Sequence, residues 1–502
     1  MLLFFIVLPM KKTPKELNVM RTDNKSKLAF AALLIVAGVL YALISLVNHC
    51  LFKTYALDLG LYTHAMYDYA HFRASDCSLF MDMPRNLLSD HFDLYLVILS
   101  PLVYVFGSYT LLIVQIAAVL LGGWGIYRLI GLYTDDRLMP LLASAAFFFS
   151  FGIIHALSFD YHSNVLAAMM LPWLMYFIKL KKYGLASLFV VLFVIGKENM
   201  SLWLFFVVIG LMWDYRKDKK TLWYLLGYAV FSMAYFLIIN MIVMPQLGGS
   251  GGGFARYSYL GDNYLAIAKN LVTHPKLTFQ LLFTSAVADS DHAGIKEEFY
   301  YCALATGLIF TILKPNYLIM TIPLIGQKML ASQPNFWGIS FQYSVEFMPV
   351  LVIASFLVIL KLKQRIGRIV LAGAFLLSVL LTTFYTLGVP HSRVFLDQLC
   401  VYQGRHYEQK IFDADYARQL MEMIPDDASV CASTMLVPHL ALRPEVYDYH
   451  CRGDSTDAMY YLVVIYRDWL CTWDDVVALY KLRDYELLST DGYLFLFRKR
   501  QL

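Results

Sequence analysis

Four short polar stretches in this apolar chain hold residue types that could do chemistry. The first is Leu57-Asp58-Leu59-Gly60, followed by His64 and Asp68. The others are Asp90-His91, Asp160-Tyr161-His162 and Lys197-Glu198-Asn199. Ionisable groups beside apolar, membrane-length runs are costly to desolvate and are functional candidates by default. A carboxylate such as Asp58 suits a general base that deprotonates an acceptor hydroxyl while a lipid-phosphate leaves a sugar. Lys197 or a His could offset the charge of that phosphate. Asp and His together could instead hold a divalent metal. The spacing leaves these options open, and no soluble nucleotide-sugar motif is visible.

Each stretch also has a plain structural explanation. Asp58 could cap a juxtamembrane helix, and Asp90 could cap a helix starting at His91. Lys197-Glu198 could be an ion pair closing a tight turn. Asp160 and His162 could be ordinary loop residues. His64 and His71 read as interfacial polar groups rather than ligands. Convergence of all four stretches on one face is what would lift the chemical reading, and that depends on topology.

The composition dictates a polytopic membrane protein. Of 502 residues, 59% are hydrophobic and 16% charged, against about 25% charged in a soluble protein. The net charge of +4 is small, and no basic run is long enough for nucleic acid. No CxxC pair occurs among the seven Cys, which leaves no zinc or thioredoxin signature. Disulfides among Cys400, Cys431, Cys451 and Cys471 are left open. Met1–Met10 is apolar but too short to span, and no small-residue cleavage site follows Lys11, Lys12 and Lys15. A signal peptide is not expected, and translation could begin at Met20.

The first span is expected at 27–47, after a basic tail that places the N-terminus in the cytoplasm. The loop 49–109 that carries Asp58 is then external. If 92–109 and 110–133 both crossed the membrane, the basic clusters at Lys179–Lys182, Arg216–Lys220 and Lys361–Arg368 would fall outside. That breaks the positive-inside rule three times, so 92–109, interrupted by Pro101 and Gly107, is read as an external juxtamembrane helix. Further spans are expected at 110–130, 138–157, 164–180, 183–196, 199–213, 221–244, 299–314, 316–332, 344–361 and 368–389, about eleven in all. The long external loop 245–298 opens with the flexible run Gly248–Gly253. It continues with amphipathic helices at 264–272 and 277–286, as a lid or binding loop would.

The organisation expected is therefore a cytoplasmic tail (1–26), a helical membrane domain (27–389) and an external α/β domain (390–502). In the last, 416–424 reads as a helix and 429–433, 460–466 and 485–488 as strands. A hairpin turn at Asp491-Gly492 leads into a strand at 493–498. No internal repeat is apparent.

These motifs resemble the membrane-protein family called domain of unknown function 2079, related to the GT-C glycosyltransferases. The family pattern is Phe-Asp-Leu-Gly, Asp-His-Phe, Asp-Phe-His-Pro-Glu and Lys-Glu-Asp. Here it reads Leu57-Asp58-Leu59-Gly60, Asp90-His91-Phe92, Asp160-Tyr161-His162-Ser163-Asn164 and Lys197-Glu198-Asn199. The C-terminal stretches Ile424–Val430, Val437-Pro438-His439-Leu440 and Arg443–Tyr447 are also similar. The resemblance implies a GT-C architecture, a polyprenyl-phosphate sugar donor in the bilayer and chemistry at the external face, with Asp58 at the catalytic first-loop Asp. Two departures count: Ser163-Asn164 replaces Pro-Glu, and Asn199 replaces Asp, which weakens a metal site.

The expectation is thus a GT-C type glycosyltransferase of the plasma membrane, all-α in its membrane part. Asp58, Asp90, His91 and Asp160 are the expected catalytic residues, with Asp58 the general base. His162, Lys197, Glu198, Gln342 and Tyr343 are the expected substrate contacts. The acceptor would be a glycan, lipid or protein. A transporter or flippase of lipid-linked sugars would need intramembrane charges and broken helices. The membrane-embedded segments between about 221 and 390 contain few charges, Lys328 and Glu346 being the exceptions, which argues against that reading. A non-catalytic scaffold is the third reading.

Overall fold

The computed structural model describes residues 24–79, 85–249, 255–284, 292–388, 390–452, 456–465, 471–482 and 485–500. The tail 1–23 and most of the glycine run, 250–253, lie outside these. The chain is mostly helical, with one small sheet near its C-terminus. Four helical stretches are long and apolar enough to cross a membrane: Asn24–Cys50, Leu94–Ile130, Lys219–Gln246 and Arg365–Tyr385. The pair Leu138–Phe148 and Phe151–Ser158, bent by 43°, makes a fifth if taken as one. In each of the four, a third or less of the apolar window is buried. Ile35, Trp223, Val230, Ile366 and Phe384 point outward, so the outer surface is an apolar belt, as lipid requires.

The other expected spans form helices that are shorter or broken. Residues 164–180 divide into Ser163–Ala168 and Leu171–Lys179, and 295–312 is interrupted at Gly307 (φ 121). Close helix approach is set by small residues: a Cβ on Gly123 would lie 2.1 Å from the Phe148 ring. The stretch read as one helix over 92–109 is instead four short turns between Leu94 and Tyr109. Gly107 (φ 56, ψ −141) separates them from Thr110–Ile130. These turns lie against the helix Leu61–Ala70, where the Tyr104 hydroxyl donates to the Ala70 carbonyl.

The connections gather at two ends. At one, Lys181 pairs with Asp218 (2.6 Å), Lys314 with Asp214 (3.2 Å) and Arg365 with Asp136 (2.9 Å). All four sequence-derived polar stretches lie at the other. Lys328, in the last turn of Pro315–Met329, also sits at this second end, where its ammonium donates to the carbonyls of Gly338 (2.5 Å) and Tyr343 (3.2 Å).

Two minimal strands, β1 (Asp76–Cys77) and β2 (Arg85–Asn86), pair in the Asp58 loop. The C-terminal sheet contains β3 (Val430–Ala432), β4 (Val446–Asp448), β5 (Tyr460–Val464), β6 (Tyr485–Thr490) and β7 (Leu494–Lys499), in the order β4-β3-β5-β7-β6. β3 runs parallel to β4 and β5; β7 runs antiparallel to β5 and β6. The expected strands and hairpin are present, with Gly492 (φ 92) in the turn. The edge strand β4 and the helix Trp473–Leu482 are additions. Among the described residues, Cys400 and Cys471 are free thiols.

Candidate functional site

Asp58 sits inside a tight π-turn, Ala56–Gly60, and caps nothing. That turn is held from two sides. On the membrane-domain side, Asp160 Oδ2 accepts the backbone N–H groups of Tyr55 (3.0 Å) and Leu59 (3.4 Å). On the C-terminal side, the Thr434 hydroxyl accepts the Ala56 N–H (3.2 Å), and the helix Val437–Leu440 lies against Gly60. A Cβ at Gly60 would come within 2.9 Å of Val437 Cγ1. Gly60 has an ordinary helical φ of −62, so proximity and not conformation demands glycine there. His64 Nδ1 meets the Ala441 carbonyl (3.2 Å), and His49 stacks on His439 at 4.0 Å. The C-terminal domain is thus seated on the Asp58 loop.

His162 Nε2 lies 3.3 Å from Asp58 Oδ1, and its Nδ1 lies 3.2 Å from the Asp160 carbonyl. Both ring nitrogens face acceptor oxygens. Burial pushes the Asp58 carboxyl up. His162, and beyond it His91 and Lys197, outweigh burial and hold it below the ordinary carboxylate range. Its side chain keeps 31% exposure. Asp160, by contrast, is raised well above that range by burial and by the Asp58 charge, against the pull of its two N–H donors. The two carboxyls therefore divide the work: Asp58 is ionised and open, Asp160 is enclosed and fixes the turn. Asp160, expected as a catalytic group, has its Oδ2 engaged by the two N–H groups of the turn.

His91 joins the second and fourth stretches. Its Nε2 accepts from Lys197 Nζ (3.3 Å) and lies 3.5 Å from Asp90 Oδ2, while Nδ1 is 3.6 Å from Glu198 Oε1. Glu198 Oε2 also accepts the Phe92 N–H (3.1 Å). Lys197 and Glu198 therefore flank His91 rather than pairing with each other among the described residues. Asp90 ends the short helix Leu87–Asp90; the cap expected of it is made by Asp93, whose Oδ1 accepts the Tyr95 N–H (2.9 Å). Asp93 was not singled out from the sequence. It is fully buried, accepts from the Tyr161 hydroxyl (3.3 Å), and burial pushes it up to about 7.

Gln342 and Tyr343 reach the same end. Gln342 is buried, with its Oε1 unpartnered among the described residues. The phenol of Tyr343 feels the charges of Asp58, Arg256 and Glu346. Phe341 between Ser340 and Gln342 has φ 59, a conformation costly for a bulky residue and held only where packing enforces it. Its ring sits 4.5 Å from Phe159, which stacks on His162 at 5.4 Å. No group of three or more His, Cys, Asp or Glu is placed to hold a metal among the described residues. The divalent-metal option finds no donor set there.

The profile of the family described as predicted membrane protein (DUF2079) matches residues 48–469. The chain belongs to that family. No curated protein matches it by sequence. Among solved structures, ArnT from Cupriavidus metallidurans bound to undecaprenyl phosphate superposes with a TM-score of 0.50 at 10% identity, over 93% of this chain and 97% of that one. The apo state of the same protein gives 0.49 at 11% identity, over 93% and 96%. At this identity the likeness is one of fold: a family of membrane proteins with an ArnT-like helical domain and a small C-terminal sheet.

Proposed function

We propose that this protein is a GT-C type glycosyltransferase. It moves a sugar from a polyprenyl-phosphate donor to a glycan, lipid or protein acceptor at the external face of the plasma membrane. Asp58 carries this reading: an ionised, partly open carboxylate on a turn fixed from both sides, at the end of an apolar helix. In the reaction the acceptor O–H gives its proton to Asp58. The acceptor oxygen forms a bond to the anomeric carbon, and the carbon–phosphate-oxygen bond breaks. Polyprenyl phosphate leaves with the electron pair. His162 keeps Asp58 ionised and aimed. Asp90, His91, Lys197 and Glu198 line the hollow beside it, and Gln342 and Tyr343 face the donor.

The lipid bound in the ArnT structure supports a polyprenyl-phosphate carrier. The grouping of basic connections at the end away from Asp58 supports eleven crossings with a cytoplasmic N-terminus and an external C-terminal domain. Lys328 and Glu346, the charges a transporter reading would need within the membrane, lie at the Asp58 end.

The test is Asp58→Asn in reconstituted full-length protein, assayed by release of undecaprenyl phosphate from undecaprenyl-phosphate-linked sugar. Turnover should fall by about 10²–10⁴-fold with the thermal melt unchanged. An active Asp58→Asn protein rejects the general base; a scaffold or flippase would show no such loss of transfer.

A further inference from the structure

A polar cavity of about 290 Å³ lies beyond the Asp58 hollow, lined among others by His292, Asn335, Ser340, His391, Ser392 and Arg393. It is built from parts far apart in the chain. Glu298, itself buried, accepts the N–H of His391 (2.9 Å), the N–H of Ser392 (2.8 Å) and the Ser392 hydroxyl (2.6 Å). That carboxylate is spent on holding the turn. Gly294 (φ 86) leaves room for the His391 ring, since a Cβ there would lie 2.7 Å from its Nδ1. The Ser392 hydroxyl accepts the Ile339 N–H (3.1 Å), tying this turn to the loop that carries Phe341.

The charges around the cavity contrast with those around Asp58. Lys197 sits among Asp58, Asp90 and Glu198, so that set has no positive charge to spare. Arg393 is exposed and pairs with no carboxylate among the described residues; its guanidinium lies 4.8 Å from the Phe395 ring centroid. From there an aromatic wall leads back to the site. Phe395 is 5.9 Å from Phe341, Phe341 is 4.5 Å from Phe159, and Phe159 stacks on His162. Arg393 also lies near enough to Tyr55, next to the Asp58 turn, for its charge to be felt there.

We propose that this cavity is a second substrate subsite, an anion pocket in which Arg393 and His391 hold a phosphate or carboxylate group of the acceptor. Phe395, Phe341 and Phe159 carry the acceptor's body toward Asp58. A guanidinium on an aromatic face, with the Ser340 hydroxyl and the Asn335 amide lining the same cavity, suits a planar or multiply charged oxyanion. The acceptor class is thus an anionic glycan or lipid rather than a neutral one. This identification of the ligand as acceptor rests on the transferase reading; the pocket does not.

Phenyl phosphate, which combines a ring with an oxyanion, is the probe. Calorimetric titration into full-length protein in nanodiscs should give saturable binding that Arg393→Gln weakens at least about tenfold. Arg393→Lys should keep it within roughly threefold, and Arg498→Gln, a surface arginine paired with Glu486, should leave it unchanged. Absent binding, or equal binding in Arg393→Gln, overturns the pocket. Undecaprenyl phosphate separates the two sources of phosphate. Its affinity should not move in Arg393→Gln, and a matching loss would assign the pocket to the donor and overturn the acceptor. Asp58→Asn should bind phenyl phosphate normally, so a failed transferase reading is visible apart from a failed pocket.

Discussion

Replacing Asp160 separates a carboxyl that does chemistry from one that holds shape. In Asp160→Ala the backbone N–H groups of Tyr55 and Leu59 lose their acceptor. A buried N–H left unpaired costs about 1–3 kcal/mol, so the two together cost about 2–6 kcal/mol. Tyr55 is only half-buried and water can reach it, which puts the expected cost near the low end. About 2 kcal/mol of misplacement of the Asp58 turn corresponds to a roughly 30-fold fall in kcat. Asp160→Asn keeps a carbonyl oxygen for both donors and removes any like charge beside Asp58. Its kcat should stay within roughly threefold of wild type on the same scale.

The assay is release of undecaprenyl phosphate by each purified variant, with a thermal melt to score folding. The order expected is wild type near Asp160→Asn, then Asp160→Ala, then Asp58→Asn. If Asp160→Asn is as inactive as Asp58→Asn, Asp160 acts through its charge and the division of roles is wrong. If Asp160→Ala is as active as wild type, the turn does not depend on this clamp.

Two further outcomes follow from the geometry. The folded Asp93 carboxyl, at about 7, lies above the unfolded value near 4, so unfolding releases a proton between them. Stability is then full below about pH 4 and falls as pH rises to about 7, by at most about 4 kcal/mol. Asp93→Asn mimics the protonated acid and should melt higher than wild type at about pH 8 and alike at about pH 3; parallel melting profiles would remove the assignment. Gly60→Ala drives a Cβ into Val437 and should cost about 1–3 kcal/mol along with activity. Val437→Ala in the same chain should restore both, and no restoration would mean that glycine serves another purpose.

Much of this molecule was legible in the chain because membrane segments announce themselves locally. Apolar runs, and Lys and Arg in alternate connections, are enough to bring Asp58, Asp90-His91, Asp160-His162 and Lys197-Glu198 to one end. What each does there was not legible. Asp160 meets the Tyr55 N–H across 105 positions, and nothing near Asp160 marks it as a clamp rather than a base. Asp93 was hidden near the start of a stretch read as a juxtamembrane helix, although an Asp directly before an apolar turn is itself a cap signal. The strand Val446–Asp448 is three residues long and starts two residues after Pro444, too short to show alternation. Helix breaks at Gly307 and between Phe148 and Phe151 depend on packing across the bundle, which no single window contains.

The departure at Ser163-Asn164 shows how far a motif can mislead by position. Where the family pattern has Glu, this chain has Asn164, and the sequence alone says a carboxylate has been lost. The fold returns one: Asn164 Nδ2 donates to Glu346 Oε1 at 2.6 Å across 182 positions. Glu346 stands one residue before the helix Phe347–Ile359 and is buried, so a second helix end fills the space beside residue 164. A second carboxylate at 164 would meet it as a like charge in a place with little water, which is strongly unfavourable. The amide at 164 and the acid at 346 therefore specify each other. The carboxyl beside residue 164 comes from the start of another helix, and a search confined to the motif could not have found it.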